Sequence, residues 1–171
     1  MPDAKRLRVE ASVLVARQER WQIGKLRGAS LPAAVQALLG KAVALCRGAL
    51  AIDPSDADAL YTLGYALSGG GDNAGAEAAY RAAIAADPQY AGAHLNLGRV
   101  LNEHGDIAGA EAAFRAAIAA DPRHVKAHFN LGAVLDELGD TAGAEAAWRA
   151  AIAADPQFCS RLYSHLGSEI R

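Results

Sequence analysis

The pattern of apolar and charged positions along this chain returns almost unchanged three times. Residues 75–88, 109–122 and 143–156 all read Gly-Ala-Glu-Ala-Ala-aromatic-Arg-Ala-Ala-Ile-Ala-Ala-Asp-Pro, with only the aromatic changing, from Tyr80 to Phe114 to Trp148. Ahead of each block stand Leu63-Gly64, Leu97-Gly98 and Leu131-Gly132, followed by Leu67, Leu101 and Leu135. Each unit therefore has two helical halves, expected over 57–68 and 73–86, 91–104 and 107–120, and 125–138 and 141–154. Gly71-Asp72, Gly105-Asp106 and Gly139-Asp140 separate the halves: Gly supplies the left-handed stop and Asp the side-chain oxygen that caps the next helix. The run Gly69-Gly70-Gly71 predicts the loosest of these turns. Small Ala76 and Ala83, with their equivalents, let helices approach closely, while the aromatic and Ile84, Ile118 or Ile152 fill the space between neighbours.

Asp-Pro pairs close the units, their prolines at 54, 88, 122 and 156, a spacing of 34 residues. A fixed period of this length means stacked units, each burying its apolar face on the next. Residues 57–156 thus hold three full repeats, 57–90, 91–124 and 125–158. Before them, residues 4–27 form an amphipathic helix with Leu7, Leu14 and Trp21 at heptad spacing, unlike the first helix of a repeat. Ser30 is placed to cap a second helix over 31–52, with Pro32 in its first turn. Ala42, Cys46 and Ala49 there fall in the slots of a repeat's second half, so 1–52 reads as an N-terminal cap. After Pro156, with one residue inserted in the turn, Tyr163, Leu166, Gly167 and Ile170 take first-helix slots, so 159–171 reads as a C-terminal half-repeat covering the last face.

The period, Leu-Gly, the Gly-Asp turn, Ala76, the aromatic, Ala83 and the Pro together resemble the tetratricopeptide repeat. The resemblance implies an all-α, right-handed α-solenoid of antiparallel helix pairs whose concave groove binds another protein, with no catalytic role and no cofactor. By that resemblance the groove is lined by Tyr61 and Tyr65 in the first repeat, Leu95, Asn96, Arg99 and Asn102 in the second, and Lys126, Phe129 and Asn130 in the third. Helical spacing alone places Leu95, Arg99 and Asn102 on one stripe, and Lys126, Phe129 and Asn130 on its equivalent. The first helices differ among repeats while the second helices stay nearly identical, as a shared scaffold carrying a varied face would.

Asn96 and Asn130 stand one period apart, and an amide that both donates and accepts can pair with the backbone of an extended peptide. The arrangement resembles the asparagine ladder in the repeats of peptide O-glucosaminyl transferase, shortened by Thr62 to two rungs. The lysine, asparagine and arginine with which chaperone co-factors of the family hold a terminal carboxylate are unmatched: Tyr61, Tyr65 and Asn130 stand in those slots. Arg99 and Lys126 point to a preference for acidic side chains. The alternative is self-association into a homo-oligomer through the terminal helices.

Composition narrows these readings. Lys plus Arg is 17 and Asp plus Glu is 19, a net charge of −2, which gives no basic footprint for nucleic acid. Glu and Arg punctuate the Ala-rich blocks, so no membrane span is expected. Asp3, Glu10 and Glu19 count against reading the basic N-terminus as a transit peptide, which leaves a cytoplasmic protein as the expectation. Cys46 and Cys159 have neither disulfide nor metal spacing. His94 and His128, in equivalent slots, read as packing residues. His124 and His128 lack a third metal ligand, and Glu77, Glu111 and Glu145 read as solvated helix face.

Overall fold

A computed structural model describes residues 3–22 and 32–157, with side-chain surroundings for 3–15 and 32–157. Among them are eight helices and no strand: α1 (Ala4–Gln22), α2 (Ala33–Leu50), α3 (Ala57–Gly69), α4 (Asn73–Ala86), α5 (Ala91–Glu103), α6 (Ile107–Ala120), α7 (Val125–Glu137) and α8 (Thr141–Ala154). They pack as antiparallel pairs, α1 with α2 through α7 with α8, and each even-numbered helix packs on the odd-numbered helix that follows. In addition α1 touches α3, α3 touches α5 and α5 touches α7, with no comparable contact between successive even-numbered helices. The odd-numbered row is therefore the inside of the curve in this α-solenoid.

Local chemistry accounts for the boundaries. Gly71, Gly105 and Gly139 have φ of 86°, 80° and 83°, and the amide that follows each turns back to Leu67, Leu101 or Leu135 at 2.9, 2.9 and 2.8 Å. With the glycine amides on Ser68, Asn102 and Asp136, each at 3.0 Å, this is a Schellman closure. The Asp after each glycine accepts the amide of Gly75, Gly109 or Gly143 at 2.9 Å. At the other end Asp87, Asp121 and Asp155 are extended, as a residue before proline prefers. Their carboxylates accept the amides of Gln89, Arg123 and Gln157.

The histidines have a specific structural use. His94 Nε2 lies 3.0 Å from the Pro88 carbonyl oxygen and His128 Nε2 3.0 Å from that of Pro122. A carbonyl only accepts, so Nε2 carries the proton and each ring ties a first helix to the preceding Asp-Pro turn.

The main core runs from Ala76 to Ala147 around Tyr80 and Phe114, each 1% exposed. Trp148 is half-buried and donates its indole N–H to the Phe129 carbonyl at 3.2 Å. A smaller cluster joins Val15, Val35, Leu39, Ala42 and Ala66. Cys46 is fully buried, and burial pushes its thiol up to about 11, so it behaves as a small hydrophobe. Glu77, Glu111 and Glu145 each pair with the arginine four residues on, at 2.9, 2.9 and 2.6 Å, contacts worth about 0.3 to 0.5 kcal/mol.

The N-terminal region differs from expectation. Although α1 lacks the repeat signature, it packs as the first helix of a pair: Ala11 is as fully buried as Ala59, Ala93 and Ala127, and Leu7 lies against Gly48. Pro32 stands at the N-cap of α2 without a side-chain bond, not inside its first turn, and the helix ends at Leu50, with Ala51 and Ile52 in the turn that follows. Contrary to the expectation from charge punctuation, α2 is long and apolar enough to cross a membrane by length and composition. Val35, Leu39, Ala42, Cys46 and Ala49 are its buried positions, and it packs on α1 and α3. Ser30, Cys159, the end of the first predicted helix and the half-repeat over 159–171 lie outside the described residues.

Gly70 tests the glycine-rich turn. It is right-handed, φ −85° and ψ −5°, like His104 (−85°, −2°) and Leu138 (−77°, −6°) in the same slot, and a Cβ there would meet only ordinary contacts at 3.4 and 3.5 Å. Gly70→Ala is therefore expected to stabilise by about 0.4 to 1 kcal/mol by restricting the unfolded chain. A lower urea midpoint would show that this turn requires glycine.

Candidate functional site

Two clefts open on the inner row. The first, about 370 Å³, is lined by Arg8, Ser12 and Val15 of α1, Asp58, Tyr61, Thr62 and Tyr65 of α3, and Tyr90 at the entry to α5. The second, about 210 Å³, is lined by Arg99, Asn102 and Glu103 of α5, Phe114 of α6, and Asn130, Ala133, Val134 and Glu137 of α7.

The structure divides the predicted groove residues. Tyr61 and Tyr65 reach the first cleft, and Arg99, Asn102 and Asn130 the second. Lys126 is exposed and Phe129 half-buried, and neither lines either of these two clefts. Leu95, 7% exposed, belongs to the core cluster and lines neither of the two clefts. Asn96, at 6%, is also buried, its amide donating to the Tyr61 hydroxyl at 3.1 Å and its carbonyl facing Arg99 Nη1 at 3.5 Å. The two asparagines are thus unequal: Asn96 braces Tyr61 from beneath, whereas Asn130 opens on the second cleft.

Among the polar residues of the first cleft, Arg8, Ser12 and Tyr90 escaped the sequence reading. Arg8 Nη1 binds Asp56 at 3.1 and 3.3 Å and Asp58 at 3.1 Å, and the bond to Asp56 holds the guanidinium above its ordinary value. Ser12 and Thr62 oxygens lie 3.4 Å apart. Tyr90 donates to Asp58 at 2.8 Å and stacks on Tyr61, centroids 4.9 Å apart and planes at 27°. Burial, with that bond to Asp58, pushes the Tyr90 phenol well above its ordinary range. The available signal was the register, since Tyr90 stands one period after Asp56, the N-cap of α3. For Arg8 there was none, because α1 lies off the 34-residue period: Ala11 stands 48 residues before Ala59, its buried counterpart in α3.

The cations of the two clefts are paired. Arg99 faces Asn96 and Glu103, the latter at 3.9 Å, and Arg8 is shared between two carboxylates. The charged residues lining the two clefts are Arg8 and Asp58 in the first and Arg99, Glu103 and Glu137 in the second. No group of three or more His, Cys, Asp or Glu suited to a metal ion occurs among the described residues.

Solved structures show the same architecture. The chain matches a crystal structure of MamA at 22% identity and a TM-score of 0.66, covering 88% of this chain and 81% of that one. A second MamA crystal structure matches at 22% identity and 0.64, covering 88% and 75%. A MamA RS-1 double mutant matches at 20% and 0.64, covering 86% and 76%. At such identities the likeness concerns the fold. No curated protein matches. The family model described as tetratricopeptide repeat matches residues 33–91, 61–115 and 95–157. With the 34-residue period, the Gly-Asp turns and the stacked helix pairs, this places the chain in the tetratricopeptide-repeat family.

Proposed function

We propose that this protein-interaction scaffold binds an extended peptide or short helix along its inner row. The observation that carries this reading is the pair of clefts on that row, one walled by three tyrosines and the other offering the amides of Asn102 and Asn130. Aromatic rings supply contact area at small entropic cost, and amides pair with peptide backbone whatever its side chains. The scaffold provides surface and carries no reaction.

The test is a displayed library of random peptides panned on the intact chain. Asn102→Ala with Asn130→Ala is expected to weaken the selected peptides by about 1 to 3 kcal/mol, each neutral hydrogen bond contributing about 0.5 to 1.5. Glu111→Ala with Glu145→Ala, on the even-numbered helices, should leave affinity within error. Binding lost through the glutamates and untouched by the asparagines would place the partner on the outer surface and overturn the proposal.

A second reading, self-association through α1, is favoured by the cleft of about 570 Å³ between α1 and α2, lined by Val9, Val13, Leu14, Ala44 and Leu45 with Glu10 and Lys41. Val9 and Val13 are 51% and 50% exposed. Sedimentation at several concentrations decides it, since a monomer throughout removes this reading.

A further inference from the structure

The tyrosine cleft has a charge character that its sequence does not suggest. Arg8 contributes one positive charge, but its Nη1 is shared by Asp56 and Asp58, so the group carries an excess negative charge. Asp56 is nearly enclosed as the cap of α3, with its side chain 11% exposed; Asp58 is open, its side chain 58% exposed. The excess is therefore presented to solvent at Asp58. The rings of Tyr61, Tyr65 and Tyr90 line the same cleft, Tyr90 against Asp58 and Tyr61 stacked on Tyr90. Ring faces carry negative quadrupole density, and Tyr90 donates its hydroxyl proton to Asp58, which holds the carboxylate beside the rings. A cation placed there gains from the rings and the carboxylate together; an anion is opposed by both. The second cleft agrees in sign, with Arg99 against Glu103 and Glu137.

Resting on the groove reading above, we propose that the tyrosine cleft seats a lysine or arginine side chain of the bound peptide. The ammonium or guanidinium lies against the Tyr61–Tyr90 stack and ion-pairs with Asp58, while the aliphatic stem packs along Tyr65. Arg8 holds Asp58 in place from the α1 side and leaves the net charge of the site negative. Recognition of a basic peptide on this row thus needs α1 as well as the repeats.

Three nonapeptide pools test this on the intact chain. Their flanking positions are randomised over uncharged residues, and their central residue is Lys, norleucine or Glu. The Lys pool is expected to bind about tenfold tighter than the norleucine pool, with Glu weakest, and the gap should shrink as salt rises. Asp58→Asn should cut the Lys preference to about threefold or less while leaving norleucine binding nearly unchanged. Tyr65→Leu should weaken both pools, and Glu111→Ala neither. Circular dichroism confirms folding of each variant.

Equal binding of the Lys and norleucine pools, with affinity still lost in Asn102→Ala/Asn130→Ala, would overturn the cation site and leave the groove reading standing. A preference for Glu would overturn it as well and point to the unused donors of Arg8. Binding by no pool, or binding insensitive to the asparagines, would remove the groove reading and this proposal together.

Discussion

Phe114→Ala is expected to lower stability by about 3 to 5 kcal/mol, read as a fall in the urea midpoint followed by circular dichroism. The ring is 1% exposed and lies in the continuous core, where its edge meets Gly98 of α5. Truncation removes its transfer energy and leaves a cavity that the surrounding alanines, being already small, cannot fill. The loss is large against the roughly 5 to 15 kcal/mol that holds a domain of this size together. Its position matters too. Coupling in a solenoid passes between neighbours, and Phe114 sits in the middle repeat, so the variant should also unfold less cooperatively, with a smaller denaturant slope. A loss below about 1 kcal/mol would show that α5 and α6 collapse onto the vacancy.

Gly98→Ala tests the same contact from the other side. A Cβ at residue 98 would stand 2.6, 2.8 and 3.0 Å from Phe114 Cε1, Cδ1 and Cζ. The ring is rigid and enclosed, so α5 and α6 must separate, an overpacking cost of about 1 to 3 kcal/mol or more. Alanine's better helix propensity, worth about 1 kcal/mol, opposes this. The net expectation is a loss of about 1 to 2 kcal/mol in the wild-type background. In the Phe114→Ala background the obstacle is gone and only the propensity remains, so the same change should become neutral or stabilising by up to about 1 kcal/mol. This reversal of sign in a double-mutant cycle is the signature of a direct contact. A Gly98→Ala protein more stable than wild type would mean that the helices do not approach as described. Tyr80 against Gly64 and Trp148 against Gly132 repeat the arrangement.

Such contacts explain why the helical framework was legible from the chain. The second helices fall on the residues expected, Asn73–Ala86, Ile107–Ala120 and Thr141–Ala154, and the first helices within one residue of theirs. What ends a helix here is local: a glycine at positive φ, an aspartate bonding an amide three residues on, and a proline that removes a donor. Each acts within a few residues, so each is written in consecutive sequence. Three copies in register then made the stacking legible, since a repeated apolar face has only its neighbour to bury against.

The groove was less legible. Thr62, Asn96 and Asn130 hold one slot in three repeats, yet Asn96 is buried and bonded to Tyr61, while Thr62 and Asn130 each line a cleft. Slot number fixes the direction of a side chain from its own helix; what covers it comes from another. Tyr61 bonds Asn96 from 35 residues away, and its ring passes over Gly92, where a Cβ would come within 3.4 Å. Arg8, 48 residues before Asp56, pairs with that carboxylate and with Asp58, an arrangement that no spacing within the repeats announces. By itself the sequence determined the helices, their order and their stacking, because caps, turns and periodicity are short-range. Tertiary structure alone decided which groove residues are open, how their charges pair and that α1 lines the first cleft, because burial and electrostatics are set by whichever distant side chains the stacking brings together.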